Sequence, residues 1–446
     1  MKYIVTISLL FCSYLSIGQN KTATPPAEQL AKEKAKAAKG DTAAMYRLGL
    51  YNYYGVAVKQ NYPMAMQWLT KAATKGHPGS MLLLGEMYEE GEGTKKNLPL
   101  AFSWVKKAAD KGSVEALNHV GEMYEEGIGT KENMTEAIKY YTKAAEKDYT
   151  EAMVSLAFHY IEGNGIKQEK GVGLAWLQRA AEKKEPLAMR YLGDYYGDPE
   201  MGNDCAQATQ WYMKAADNGD TLSFRSVGEI FLEGTCAKSD VTKVAEWAQA
   251  NCDKGIGDAC YLLARFYVEG KGVGQSYGKA MDLFIKDAEM QIAKGDVQSN
   301  SMRNLFVLYN MEKLSTSRQN RLLDWLEATA KKTGDDYMAS GIGFIYTNRE
   351  NASNEDYRTA LSWSMKAAEK GNATGAYNVG YLYANGFGVN LDYKVAFDWM
   401  MKAAKKGDKV AMETIAEFYE KGHGVPPDLA KAAEWKNKAT QAQKGE

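Results

Sequence analysis

The chain has 446 residues, with 55 Lys and Arg against 56 Asp and Glu, and 45% of its residues are hydrophobic. So even a charge balance lacks the basic excess that nucleic-acid binding needs, and the apolar fraction is ordinary for a folded protein. The length alone would suggest roughly two to four globular domains, but internal repetition overrides that expectation.

In chain order, Lys2 precedes an uncharged apolar run from Ile4 to Tyr14, and Ser16 and Gly18 place small residues where a signal peptidase reads. Residues 1–18 are therefore expected to be a secretory signal peptide cleaved before Gln19, followed by a short linker over 19–25. Cys12 follows Phe11, not the small residue that lipoprotein processing wants. No other segment approaches the ~20 apolar residues of a membrane span. The mature chain is expected to be exported, soluble, and periplasmic or secreted.

From residue 26 onward the chain repeats. Trp68, Trp104, Trp176, Trp211, Trp247, Trp325, Trp363, Trp399 and Trp435 recur at steps near 36 residues or a multiple of it, and Tyr140 fills one early gap. Residues 77–112 and 113–148 show the unit clearly. Leu84-Gly85-Glu86-Met87-Tyr88 in the first becomes Val120-Gly121-Glu122-Met123-Tyr124 in the second. Each then runs through a Gly-x-Gly turn to an aromatic and an Ala-Ala pair. The same register sets further units at 41–76, 149–184, 185–219, 220–255, 256–295, 296–334, 335–371, 372–407 and 408–446. Ala116, Val120, Gly121 and Tyr124 share one helical face, as do Ala152, Leu156, Ala157 and Tyr160. Glycines such as Gly91 and Gly93 end the first helix, and Gly112 ends the second. Each unit is thus two amphipathic helices, with its Trp expected on the buried face of the second. The fold class is all-α, a right-handed α/α solenoid (superhelix) of about eleven helix-turn-helix repeats. Residues 296–334 lack the Gly-x-Gly turn, about four extra residues lie near Gln291, and a polar loop replaces the turn at 347–357. Register is least regular between about 285 and 360.

These units resemble the Sel-like repeat family, a tetratricopeptide-like class of α-solenoid. Ala376 to Gly407 carries nearly the whole family pattern, including Gly388-Val389, Ala396, Trp399 and Lys402-Ala403-Ala404. The resemblance covers residues 26–446 and implies a binding surface in place of a reaction centre.

Removing the signal leaves Cys205, Cys236, Cys252 and Cys260. An even count in an oxidising compartment favours disulfides, and the residues alone leave three pairings open. The spacing of Cys252 and Cys260 is similar to that in Hcp-type cysteine-rich members of the family, where such pairs link consecutive helices, so the resemblance implies that bridge. Cys205 and Cys236 fall between the helices of their units, where turns of adjacent repeats would stack, and are expected to form the second.

Nothing in the sequence sets out a catalytic or metal site, and no cofactor is expected. His77, His119, His159 and His423 show no metal-binding spacing. Ser103-Trp104-Val105-Lys106 and Ser276-Tyr277-Gly278-Lys279 match Ser-x-x-Lys, and Lys332-Thr333-Gly334 matches Lys-Thr-Gly. All three fall on helical repeats, whereas the serine enzymes with these motifs carry the Lys-Thr-Gly on a strand. A β-lactamase-like or peptidoglycan-interacting role, as in cysteine-rich Sel-like proteins, stands as the alternative.

By the same resemblance, first helices would line a concave groove. It would offer Tyr46, Leu50, Tyr53 and Tyr54, then Glu86, Glu89, Glu90, Glu122, Glu125, Glu126 and Glu162. Arg190, Arg225 and Arg265 follow, with Tyr261, Tyr377 and Tyr381. Such a face suits a protein or peptide partner with a basic segment. Neither nucleic acid nor a stable membrane span is expected, and a membrane-bound envelope complex is a further candidate partner.

Overall fold

The computed structural model describes residues 26–232, 240–311 and 313–442. The expected signal peptide and linker lie outside the described residues, as does Cys236. All 23 elements among the described residues are helices, and the chain divides into two compact units at Ser223.

In the first unit α1 (Pro26–Ala38) precedes five helix pairs. They are α2 (Thr42–Tyr54) with α3 (Tyr62–Thr74), α4 (Pro78–Glu90) with α5 (Leu98–Asp110), and α6 (Val114–Glu126) with α7 (Met134–Glu146). Then come α8 (Thr150–Glu162) with α9 (Lys170–Glu182), and α10 (Pro186–Gly197) with α11 (Cys205–Asp217). The second unit holds six pairs, opening with α12 (Leu222–Leu232), which straddles the boundary, and α13 (Val241–Asp253). Next are α14 (Gly257–Glu269) with α15 (Tyr277–Ala293), α16 (Asn300–Asn310) with α17 (Thr316–Thr333), and α18 (Asp336–Thr347) with α19 (Asn354–Glu369). Last are α20 (Ala373–Asn385) with α21 (Tyr393–Ala404), and α22 (Lys409–Lys421) with α23 (Leu429–Ala442). Eleven pairs stand where eleven repeats were predicted, and each unit is an α/α solenoid.

Local chemistry sets these boundaries. Asn61, Asn97 and Asn133 cap α3, α5 and α7, each accepting a hydrogen bond from the backbone N–H three residues on. Gly91 ends α4 in the left-handed region, at φ +79°. Two residues later Gly93, at φ +73°, lies so close to Tyr62 that a Cβ would fall 2.8 Å from its carbonyl carbon. The turn therefore closes on the start of the preceding repeat's second helix. Within a repeat, the small residue after the aliphatic is the crossing point: a Cβ on Gly85 would sit 2.4 Å from Val105 Cγ2.

The tryptophans sit differently from the expectation. Of the nine only Trp363 is buried, and the others are half-buried. Except at Trp435, which the exposed Lys436 follows, the residue after the aromatic is the one in the core: Leu69, Val105, Tyr141, Leu177, Tyr212, Ala248, Leu326, Ser364 and Met400 are all buried. A helix advances about 100° per residue, so one position separates the core from its edge. The outer side of the ring is covered by a cation three residues on, in the pairs Trp68–Lys71, Trp104–Lys107, Trp176–Arg179, Trp211–Lys214, Trp363–Lys366, Trp399–Lys402 and Trp435–Lys438. These distances to the ring centroid run from 3.4 to 5.2 Å. Lys143 covers Tyr140 in the same way. The two remaining indoles find other partners: Trp247 stacks on Phe224, and Trp325 Nε1 donates to Glu289.

The irregular stretch keeps the plan with altered lengths. The extra residues near Gln291 are absorbed into α15, which has 17 residues where most of its counterparts have 13. The polar loop before α19 is held by Arg349, whose guanidinium reaches Asp356 and Asn320, and by a capping box between Ser353 and Asp356. Cys252 at the end of α13 is bonded to Cys260 in α14, with Cα atoms 4.6 Å apart and both residues wholly buried. Cys205, the first residue of α11, is also disulfide-bonded.

Candidate functional site

The first helices of the first unit carry the candidate face. Gly49, Gly85, Gly121 and Gly193 all press on a second helix. The residue after each of these glycines, and after Ala157 in the same register, forms a position of its own: Leu50, Glu86, Glu122, Phe158 and Asp194, the last accepting a hydrogen bond from the Tyr212 hydroxyl of the second helix. The chemistry of this position changes from repeat to repeat while the core beneath stays the same.

At α2 and α4 this position meets tyrosines. The rings of Tyr53 and Tyr54 stand 4.9 Å apart and nearly perpendicular, and Tyr62 packs edge-on against Tyr53 at 5.3 Å. Tyr46 lies against α4 near Gly79, where a Cβ would come 3.3 Å from its Cζ. Glu86 and Glu92 face this group, and the Glu89 charge acts on Glu86 from one turn on. Burial, then the charges of Glu89 and Glu92, push the Glu86 carboxyl up to about 8. Burial and the Glu86 charge likewise push Tyr46 and Tyr54 up to about 12. Tyr53 is raised by burial and then by Glu92, which lies within hydrogen-bonding reach of the Tyr53 and Tyr62 hydroxyls.

The other predicted residues divide into two groups. Glu89 and Glu125 tie adjacent repeats together. His119 Nε2 lies 3.1 Å from Glu89 Oε2, and Glu125 accepts a 2.6 Å hydrogen bond from the Tyr141 hydroxyl with His159 Nε2 at 3.5 Å. His159 and Tyr141 hold Glu125 below the usual carboxylate range. Glu122 accepts from Asn118 one turn earlier. The arginines are paired with acids: Arg190 with Asp220 at 3.0 Å, Arg225 with Glu229 at 2.8 Å and Arg265 with Glu269 at 3.7 Å. Sequence reasoning missed Tyr62 and Glu92. Their signal was the Gly91-Glu92-Gly93 turn, whose second glycine sits on Tyr62. Further along, Glu125, Ser155, Phe158, His159, Glu162 and Asn164 line a depression of about 260 Å³. Phe158 there is 40% exposed, with its ring edge-on to Tyr191.

Among the described residues no group of three or more His, Cys, Asp or Glu is placed to hold a metal, and no helix is long and apolar enough to cross a membrane. Lys332, Thr333 and Gly334 close a helix, with Gly334 as the left-handed cap of α17. Ser103 lies inside α5, and Ser276 caps α15.

Paired helices, most of them of 13 residues, stacked repeat on repeat within each unit, define an α/α repeat protein of the tetratricopeptide-like class. The Sel1 repeat model matches residues 42–77, 78–113, 114–149, 150–184, 186–220, 257–290, 341–372, 373–408 and 410–443, more than half of the chain. The chain belongs to the Sel1 repeat family. The two helix pairs lying largely outside those matches are α12–α13 and α16–α17. The chain is 26% identical over 186 residues to the Sel1-repeat-containing protein YjcO of Escherichia coli, spanning 41% of this chain and 76% of that one. A protective antigen of uropathogenic Escherichia coli with an SLR fold is 27% identical, with 94% of this chain and 90% of that chain covered at a TM-score of 0.49. A Sel1 repeat protein from Oxalobacter formigenes is 20% identical, with 89% and 95% covered and a TM-score of 0.41. The Sel1 repeat fold is a common protein–protein interaction scaffold.

Proposed function

We propose that this chain is an interaction scaffold that holds a protein or peptide with a basic segment along the first helices of its first unit. The observation that carries this reading is chemical excess: acids and aromatics stand on that face at positions the core does not use. Glu90, Glu126 and Glu162 are exposed at the ends of three successive first helices, and Phe158 is exposed beside them. We also place the mature chain outside the cytoplasm. Support comes from the apolar run after Lys2 and from the buried Cys252–Cys260 bridge, because such bonds persist in oxidising compartments.

A photo-crosslinker at Phe158, compared with one at Lys139 on a second helix, tests the scaffold reading. One defined partner should be captured from Phe158 alone, and the triple change Glu90→Lys, Glu126→Lys, Glu162→Lys should abolish that capture. Equal capture from both positions would count against it. Turnover of a chromogenic cephalosporin by the purified protein would replace it with the hydrolytic alternative.

A further inference from the structure

Glu86 is a half-buried acid on this face that lacks a partner among the described residues. That burial is the main cause holding its carboxyl above the usual carboxylate range. Among the described residues it takes part in no hydrogen bond or ion pair, and the charges acting on it are those of Glu89 and Glu92. A half-buried carboxylate without a partner is costly, and a bound cation would offset that cost. Its surroundings are those that receive a cation. The Tyr53 and Tyr54 rings meet at 84°, Tyr62 packs edge-on against Tyr53, and Tyr46 lies on the side toward α4. Tyrosine rings present negative faces to a cation, and phenols that stay neutral can still orient toward it.

We propose that the corner between α2 and α4 takes the ammonium group of a lysine side chain from the bound partner, with Glu86 as its counter-ion and Tyr46, Tyr53 and Tyr54 as its walls. The assignment rests on the scaffold reading and specifies what the face recognises. A compact ammonium suits a corner made of rings at right angles, whereas a planar guanidinium prefers a flat stacking face. Glu92, engaged by Tyr53 and Tyr62, adds a second negative charge at the rim.

The test is calorimetric titration of the full chain with three acetylated, amidated pentapeptides, each with a central lysine, arginine or norleucine flanked by glycines. The lysine peptide should bind at least ~10-fold more tightly than the norleucine peptide, about 1.4 kcal/mol. Glu86→Gln should erase that difference, and Tyr54→Leu should weaken lysine binding several-fold, with thermal melts confirming that both variants fold. Lysine binding should also strengthen from pH 6.5 to pH 9, as Glu86 ionises while the lysine stays charged. Equal binding of the lysine and norleucine peptides, binding of neither, equal binding of the arginine peptide, or an unaffected Glu86→Gln variant each overturns the proposal. Any of these results, with crosslinking still confined to the first-helix face, would remove the lysine site and leave the scaffold reading standing.

Discussion

At the residue scale, Trp68 and Leu69 show how one position divides two roles. Leu69 is wholly buried, while Trp68 is half-buried beneath Lys71, whose ammonium lies 4.7 Å from the ring. Removing a fully buried leucine costs about 2–5 kcal/mol. A partly exposed indole forfeits less area, and its cation–π contact adds about 0.5–1 kcal/mol. Leu69→Ala should therefore destabilise more than Trp68→Ala in matched denaturant titrations, and the opposite order would show that the indoles dominate the core. Glu86 supplies a pH signature. Its carboxyl is raised in the folded state to about 8 from an ordinary 4.5, chiefly by burial. Its contribution to stability is fully present below pH 4.5, declines as pH rises, and is gone above about 8. Glu86→Gln should accordingly raise the melting temperature at pH 9 and leave it nearly unchanged at pH 4.5. An equal effect at both values would mean that the carboxyl titrates normally.

At the element scale, the turns do most to hold register. Gly112 and Gly129 both have positive φ, but a Cβ on Gly112 meets open space while one on Gly129 falls 2.0 Å from the Leu98 carbonyl oxygen. Gly112→Ala should cost about 1 kcal/mol for conformation alone. Gly129→Ala must also push two repeats apart, so its loss should be clearly larger. Similar losses would mean that the Gly-x-Gly turn does not set the spacing. These glycines made the repeat plan readable before any coordinates, and so did the small residue facing each second helix. Elsewhere the pattern was silent because other residues do the same work. Asp148 and Lys184 hold the left-handed turn where most repeats use glycine, and Asp148 is braced by Arg179 and Lys183. The binding corner was half legible. Tyr46, Tyr53, Tyr54 and Glu86 follow from helix position, whereas Tyr62 and Glu92 come from a helix start and a turn that meet only when Gly93 closes on Tyr62. The tryptophans were read one position too deep, because a period of 36 residues gives their spacing and not their rotation about the helix.

At the scale of the whole molecule, a repeat chain should tolerate the loss of an entire period better than the loss of part of one. Deleting residues 78–113 removes α4 and α5 and leaves α3 to meet α6 in the same register. The shortened protein should keep its helicity per residue by circular dichroism and unfold cooperatively at a lower temperature. It should also lose lysine-peptide binding, since Glu86, Glu89 and Glu92 go with the deleted repeat. Collapse of the helical signal would show that the repeats are not interchangeable bricks. The half-buried indoles offer one more use. Because most of the rings sit at a similar depth beneath a similar cation, variants retaining a single tryptophan would form a set of nearly matched fluorescent lamps spaced along the chain. Melting such a set lamp by lamp would show where the chain first comes apart, and whether a bound partner changes that order.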